Sequence, residues 1–227
     1  QRKIQESESI EVPSFSKVIQ YIKNNWEVYG AIIIGNSCLI ILLYGLQSWV
    51  PTMLLRVYEW DLIQSGRVYG SIAMLAGSAG VLSGPFVLKY MSKINVNAPH
   101  FKLAIFGISM ASLSLVLLPF QPNVNIALVF VTMASFFVTL PLAGTSSAMV
   151  IVSPNRIRGV ITGIYVVVTS VFGLVLGPFL VASSTDFIFQ DTNAVAKSLA
   201  LVSVLVGPVG IFFMFKGINS FGEIKNV

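Results

Sequence analysis

The sequence predicts an all-α membrane protein, a bundle of six transmembrane helices. Of its 227 residues, 55% are hydrophobic and 10% are charged, and its mean hydropathy is +0.83. A water-soluble core of this size could not bury so much apolar surface. Crossing a bilayer takes about 20 mostly apolar residues. Six stretches meet that length: Val28–Val50, Gly66–Leu88, Leu103–Phe120, Asn125–Val152, Gly159–Ala182 and Leu199–Phe215.

Two segments precede the six spans and one follows them. Residues 1–14 are polar and mixed in charge, which predicts a flexible cytoplasmic linker. In residues 15–27 the apolar positions from Phe15 to Trp26 follow helical spacing, which predicts an amphipathic helix at the membrane interface. A plain extension of the first span is the alternative. The bundle is expected over residues 28–218 and a cytoplasmic tail over residues 219–227.

Glycine and proline lie inside several spans. Gly80 and Gly84 in the second span precede Pro85, and Gly173 and Gly177 in the fifth precede Pro178. Small residues four apart let helix backbones approach closely, and neighbouring helices can satisfy the backbone groups that proline frees. We expect both spans to be packing elements and hinges. In the fourth span, the polar run from Thr139 to Ser147 with Pro141 predicts a break in the helix.

The distribution of Lys and Arg predicts the orientation. All but three of the 14 Lys and Arg residues lie in the two termini, the second-to-third loop and the fourth-to-fifth loop; the exceptions are Arg56, Arg67 and Lys197. Cations near a span are retained in the cytoplasm. Both termini should therefore be cytoplasmic, in a bacterial inner membrane or a plasma membrane.

The reactive residue types argue against an enzyme. Cys38, the sole cysteine, lies in an apolar span and is interpreted as an inert buried thiol; His100, the sole histidine, is interpreted as a solvated loop residue. The sequence shows no nucleophile–base pair, no metal-ligand cluster and no phosphate-binding glycine loop. We expect no cofactor and no metal. The net charge of +5 lies in loops, so nucleic acid is not an expected partner.

Polar residues inside spans are the candidate substrate-binding residues, because a polar side chain in lipid usually faces a helix partner or a water-filled cavity. Those in the first span share one helical face, and the pair in the fifth span lies four residues apart. Packing between helices, or bonding back to the same helix, is the alternative for each. The candidates are Asn36, Tyr44 and Gln47, then Thr139, Thr145 and Ser146, then Tyr165 and Thr169.

Charged residues near the spans are candidates for gating. Arg67 could attract an anionic head group or pair with Glu59 or Asp61, and the alternative is an interfacial arginine that reaches the head groups. The predicted spans contain no Asp or Glu. If transport is coupled to protons, the titrating acid should lie in a partner segment or at the rim, as Asp186 does.

The pattern as a whole resembles the C-terminal half, spans seven to twelve, of a major facilitator superfamily transporter. The second and fifth spans occupy corresponding places in two three-helix units, as in the repeats of secondary transporters. The segment from Gly84 to Lys93 is similar to the cytoplasmic loop motif of the superfamily, with Leu88 where an Asp is usual and Met91 where a Gly is usual. The resemblance therefore does not extend to the latch attributed to that Asp, whereas Lys89 and Lys93 could still anchor the loop at lipid head groups.

Within the superfamily, the segment from Pro154 to Gly159 and the run Ser184-Thr185-Asp186 most resemble the spinster-like branch. The resemblance implies a secondary transporter that moves a small anionic or amphiphilic organic solute by alternating access. Its implied partners are an N-terminal six-helix half, membrane lipids, and protons or Na+ as coupling ions. A six-span channel or a membrane-embedded assembly subunit is the alternative.

Overall fold

The computed structural model describes residues 15–225, with side chains described as far as Phe221, and these residues form helices joined by short loops. Six helical stretches are long and apolar enough to cross a membrane, which confirms the predicted six-helix architecture. A short helix, α1 (Phe15–Asn24), precedes them. The first span is α2 (Trp26–Val57), and the second consists of α3 (Leu62–Ile72) and α4 (Ser78–Lys93), joined by a π-helical turn at Ala73–Gly77. The third is α5 (Pro99–Leu117) with a 3₁₀ turn at Leu118–Phe120, and the fourth consists of α6 (Val124–Thr139) and α7 (Leu142–Val152). The fifth is α8 (Arg158–Ser183) with a π-helical turn at Ser184–Phe189, and the sixth is α9 (Val195–Lys225).

Side-chain contacts at the span ends define two ends of the bundle. At the end beside α1, the Tyr29 hydroxyl donates to the Val152 carbonyl at 2.8 Å. At the other end, the Tyr58 hydroxyl donates to the Gln121 carbonyl at 2.7 Å. We call these the proximal and distal ends. The proximal end is the one that the charge distribution predicts to be cytoplasmic.

The helices are longer than the spans predicted from hydropathy, because backbone hydrogen bonding continues past the apolar residues. As a result Glu27, Asp186 and Glu223 lie within helices, each near an end, and the prediction that no acid lies within a span fails at these three positions. The sixth helix continues to Lys225, so most of the predicted tail is helical. The predicted linker, residues 1–14, and residues 226–227 lie outside the described part of the chain.

The first span lies at the centre of the bundle and is the most buried, whereas the second and fifth spans are the least buried. The fifth span packs on the first through Gly177: a Cβ atom there would lie 2.7 Å from the Ile41 carbonyl oxygen and 2.9 Å from the Gly45 nitrogen. The Trp49 indole nitrogen strengthens this contact by donating to the Pro178 carbonyl at 3.0 Å.

The second span packs on the fourth in the corresponding way. Gly80 approaches the Phe136 carbonyl, and Gly84 approaches the Leu140 carbonyl. Gly80, Gly84 and Gly177 therefore permit contact between backbones, whereas Gly173 packs against the side chains of Ile40 and Tyr44. The two contacts are equivalent. The second span, which is the middle helix of the first three-helix unit, packs on the fourth span, which begins the second unit. The fifth span, the middle helix of the second unit, packs in the same way on the first span.

The proline residues act differently in different spans. The helices continue through Pro85 and Pro178, whereas the fourth span breaks at Leu140 and Pro141, as predicted. Gly107 of the third span makes room for the break. A Cβ atom at Gly107 would lie 2.8 Å from the Pro141 ring and 2.7 Å from the Phe137 carbonyl oxygen.

Candidate functional site

A polar cluster joins the first, fourth and fifth spans in the interior of the bundle. The Thr145 hydroxyl donates to the Asn36 side-chain oxygen at 2.7 Å, and both residues are 2% exposed. The Tyr165 hydroxyl lies 3.4 Å from the Ser146 hydroxyl and also contacts Thr145. Thr169 is directed to its own helix, where its hydroxyl donates to the Tyr165 carbonyl at 2.8 Å. The structure thus brings together five of the eight predicted polar residues.

This geometry favours the helix-packing alternative for Asn36. Its side-chain oxygen is used within the protein by Thr145. A buried polar group that already has its partner stabilises the packing of two helices and offers less to a solute. Ser146, by contrast, is exposed, so a group outside the cluster can reach it.

A cavity of about 470 Å³ lies between the first, second and fourth spans. The predicted residues Gln47 and Thr139 both line it. The remaining lining residues combine three polar side chains with an apolar majority: Tyr69, Ser78 and Ser135, then Leu43, Ala73, Gly77, Val81, Leu82 and Leu142. Among these described lining residues none carries a charge.

Two irregular pieces of helix meet at the wall of this cavity. The π-helical turn of the second span contributes Ala73 and Gly77, and the fourth span contributes Thr139, the last residue before its break. The Thr139 hydroxyl lies within 3.0 Å of the carbonyl oxygens of Gly77, Ser135 and Phe136. π-Helical turns inside α-helices are frequent at functional sites, so the cavity is the candidate solute site.

Tyr69 and Ser135 are cavity residues that the sequence reasoning missed. Tyr69 is 6% exposed and Ser135 is 3% exposed. Within the described residues neither hydroxyl has a hydrogen-bond partner, and the Ser135 oxygen is fully buried. The sequence does contain a signal for Ser135. It lies four residues before Thr139, which is the spacing that singled out Tyr165 and Thr169.

Tyr44 and Gln47 have different neighbours although they are close in the first span. Tyr44 is half-buried against the fifth span, where its ring lies 3.1 Å from the position of a Cβ atom on Gly173. Gln47 is exposed and faces the cavity. The three predicted residues of the first span therefore contact three different neighbours and do not form one solute-facing stripe.

The predicted gating residues lie at the distal end. Arg67 and Asp61 line the same surface depression, and Arg67 also borders an apolar groove of about 350 Å³. Arg67 and Glu59 are exposed, and in the described part of the chain no ion pair joins Arg67 to Glu59 or Asp61. Asp186 is exposed in the terminal π-helical turn of the fifth span. None of these four residues lines the 470 Å³ cavity.

The loop motif from Gly84 to Lys93 departs from the family pattern at Leu88, which is buried and apolar. Leu88 packs with Leu103 and Leu140 in a small apolar cluster, so this position is used for packing and no acid latch can form there. Lys89 and Lys93 are exposed beside it.

His100 is not the solvated loop residue that the sequence indicated. It is half-buried in the first turn of α5, and its Nδ1 atom lies 3.1 Å from the Gly144 carbonyl oxygen of the fourth span. The loop is short enough that the third helix has already begun at Pro99, which brings His100 against the bundle.

Six membrane-spanning helices, two packed three-helix units and an open cavity whose described lining carries no charge are the features of a membrane transporter. The family model of the Major Facilitator Superfamily matches residues 2–178. The chain belongs to the Major Facilitator Superfamily and is an integral membrane protein. A comparison with curated protein sequences gives no significant match.

Two solved structures share the fold. Both are crystal structures of a bacterial homologue of the human lysosomal transporter Spinster in an inward-facing conformation. The unoccupied form matches with a TM-score of 0.68 and 12% identity over 97% of this chain and 52% of that chain. The occupied form matches with a TM-score of 0.59 and 14% identity over 88% and 49%. The chain thus spans about half the length of these proteins, and at this identity the likeness shows the fold.

Proposed function

We propose that this chain is the C-terminal six-helix half of a secondary transporter that carries a small organic solute by alternating access. The observation that carries the proposal is the cavity between the first, second and fourth spans, where polar groups, a π-helical turn and a broken helix meet. Sites built at discontinuous helices between repeated units are typical of secondary transporters. The likeness to Spinster homologues supports the spinster-like branch as the subfamily.

The complete transporter would include an N-terminal six-helix half. The least buried spans, the second and the fifth, support this proposal, because they expose large apolar side chains such as Leu82, Phe86, Val171 and Leu174. We place both termini in the cytoplasm and α1 at the membrane interface, where its buried side is formed by Val18 and Ile22. A gradient of protons or Na+ would drive transport, with Asp186 as the candidate rim acid of this half.

Counterflow tests the transport proposal. Vesicles that contain the reconstituted complete transporter are loaded with unlabelled solute, and the uptake of a labelled trace is followed over time. A carrier gives a transient accumulation that saturates with concentration and depends on solute on the opposite side. A channel, the alternative function, gives flux without this exchange. Flux that neither saturates nor accelerates with internal solute would overturn the proposal.

A further inference from the structure

We propose that the cavity binds the uncharged, hydroxyl- or amide-bearing head of an amphiphilic solute, with Tyr69, Ser135 and Gln47 as its hydrogen-bonding residues. This inference rests on the proposed transport function and narrows the class of solute. The anionic solute predicted from the sequence would be recognised by Arg67 instead. The two hypotheses therefore differ in the binding residue and in the charge of the solute.

The first argument is hydrogen bonding. Tyr69 and Ser135 are almost fully buried and line the cavity, and neither hydroxyl has a hydrogen-bond partner in the described residues. Of the two, the Ser135 oxygen is the buried atom without a partner. A buried polar group without a partner costs free energy, and native structures contain few of them. Thr139 is not available in the same way, because its hydroxyl lies against three backbone carbonyls. The hydroxyls of Tyr69 and Ser135 are therefore the groups that a solute would satisfy.

The second argument is charge. A buried anion is costly unless a cation or several donors compensate it. No Lys, Arg or His is among the described residues that line the cavity. Arg67 lies at the distal end, beside a separate apolar groove. A neutral head group needs only hydrogen bonds, and the amide of Gln47 together with two hydroxyls can both donate and accept them.

The third argument is the apolar remainder of the wall. Leu43, Val81, Leu82 and Leu142 line the same cavity. Its volume, about 470 Å³, falls in the range of small-molecule sites, which are largely apolar with a few placed polar groups. The solute should therefore carry an apolar body beside its polar head.

A matched pair of probes tests the assignment. Monooctanoylglycerol and octanoylglycerol phosphate share the acyl chain and differ in the phosphate. Equilibrium binding of each labelled probe is measured with the complete transporter in lipid nanodiscs. We expect monooctanoylglycerol to bind saturably and at least tenfold more tightly than the phosphate. Tighter binding of the phosphate would overturn the proposal.

Two variants locate the binding site. Tyr69→Phe and Ser135→Ala each remove one hydroxyl and keep the remaining side-chain volume. Each should weaken monooctanoylglycerol binding about fivefold to tenfold, as the loss of one hydrogen bond implies. Ser112→Ala is the matched control, because the Ser112 hydroxyl is also buried and unpartnered but lies beside Gly207 of the sixth span. It should leave the affinity unchanged.

The outcomes separate this proposal from the proposed function. Equal affinities of Tyr69→Phe, Ser135→Ala and Ser112→Ala would show that the head group binds elsewhere, even if counterflow is observed. Weakened binding in the first two variants without counterflow would support the site and refute the carrier. Thermal unfolding of each variant, with a midpoint within a few degrees of the parent protein, ensures that a changed affinity reports on the site.

Discussion

Thr145 joins the fourth span to the first in the interior of the bundle, because its hydroxyl donates to the buried oxygen of Asn36. Thr145→Val keeps the shape of the side chain and leaves the Asn36 oxygen unpaired. We expect the free energy of unfolding to fall by about 1–3 kcal/mol, the cost of a buried unsatisfied polar group. Chemical denaturation in detergent micelles measures the change.

Thr145→Ser is the control for this prediction, since it keeps the hydroxyl and should recover most of the stability. If Thr145→Val is as stable as the parent but loses solute affinity, Thr145 belongs to the solute site and the packing interpretation is wrong.

Arg67 provides a prediction of charge removal. It is exposed at the distal end and, within the described residues, forms no ion pair, so Arg67→Gln should change the free energy of unfolding by less than about 0.5 kcal/mol. Binding of monooctanoylglycerol should also be unchanged, because Arg67 does not line the cavity. A marked loss of affinity for this neutral probe would contradict the separation of the groove from the cavity.

At the scale of helices, the two kinds of glycine in the fifth span predict opposite effects. A methyl group at Gly177 would meet the backbone of Ile41 and Gly45 at 2.7–2.9 Å, and backbone cannot move aside. We therefore expect Gly177→Ala to destabilise the protein by about 1–3 kcal/mol, as overpacking does. Thermal unfolding in the presence of lipid measures the effect.

Gly163 supplies the matched control in the same helix. No atom lies within 4 Å of a Cβ atom at that position. Gly163→Ala should be neutral or stabilise the helix by up to about 1 kcal/mol, because alanine has the higher helix propensity. Equal destabilisation by both substitutions would show that helix flexibility, not close packing, explains the glycines.

The helices could be predicted from the sequence better than the site. Length and hydropathy are properties of a single segment, so the six spans follow from them, and the break at Pro141 follows from the proline and the polar run around it. The helix ends do not: Glu27 and Asp186 continue their helices because backbone hydrogen bonds persist past the apolar residues. The cavity cannot be predicted from single segments either, because the partner of each polar side chain depends on how the spans pack. Asn36 and Ser135 are both polar residues inside apolar spans, yet the Asn36 side chain has a partner and the Ser135 hydroxyl has none among the described residues.

For the whole molecule, the exposed apolar sides of the second and fifth spans predict where the N-terminal half lies. Single cysteines at Phe86 and Val171 should react slowly with a lipid-soluble maleimide in the complete transporter, since the partner half would cover them. Ile126, exposed on the fourth span, should react quickly as a cysteine if it faces lipid. The native Cys38 is buried and should contribute little background. Equal labelling rates at all three positions would argue against the proposed partner surface.

The uncharged cavity wall has an electrical consequence. Moving one elementary charge through the membrane field is worth about 2.3 kcal/mol per 100 mV. The described residues that line the cavity bring no charge of their own, so reorienting this wall while the carrier is empty should do no work against the membrane potential. The voltage dependence of the transport cycle would then be set by the solute, by the coupling ion, by the other half and by charged residues outside this wall.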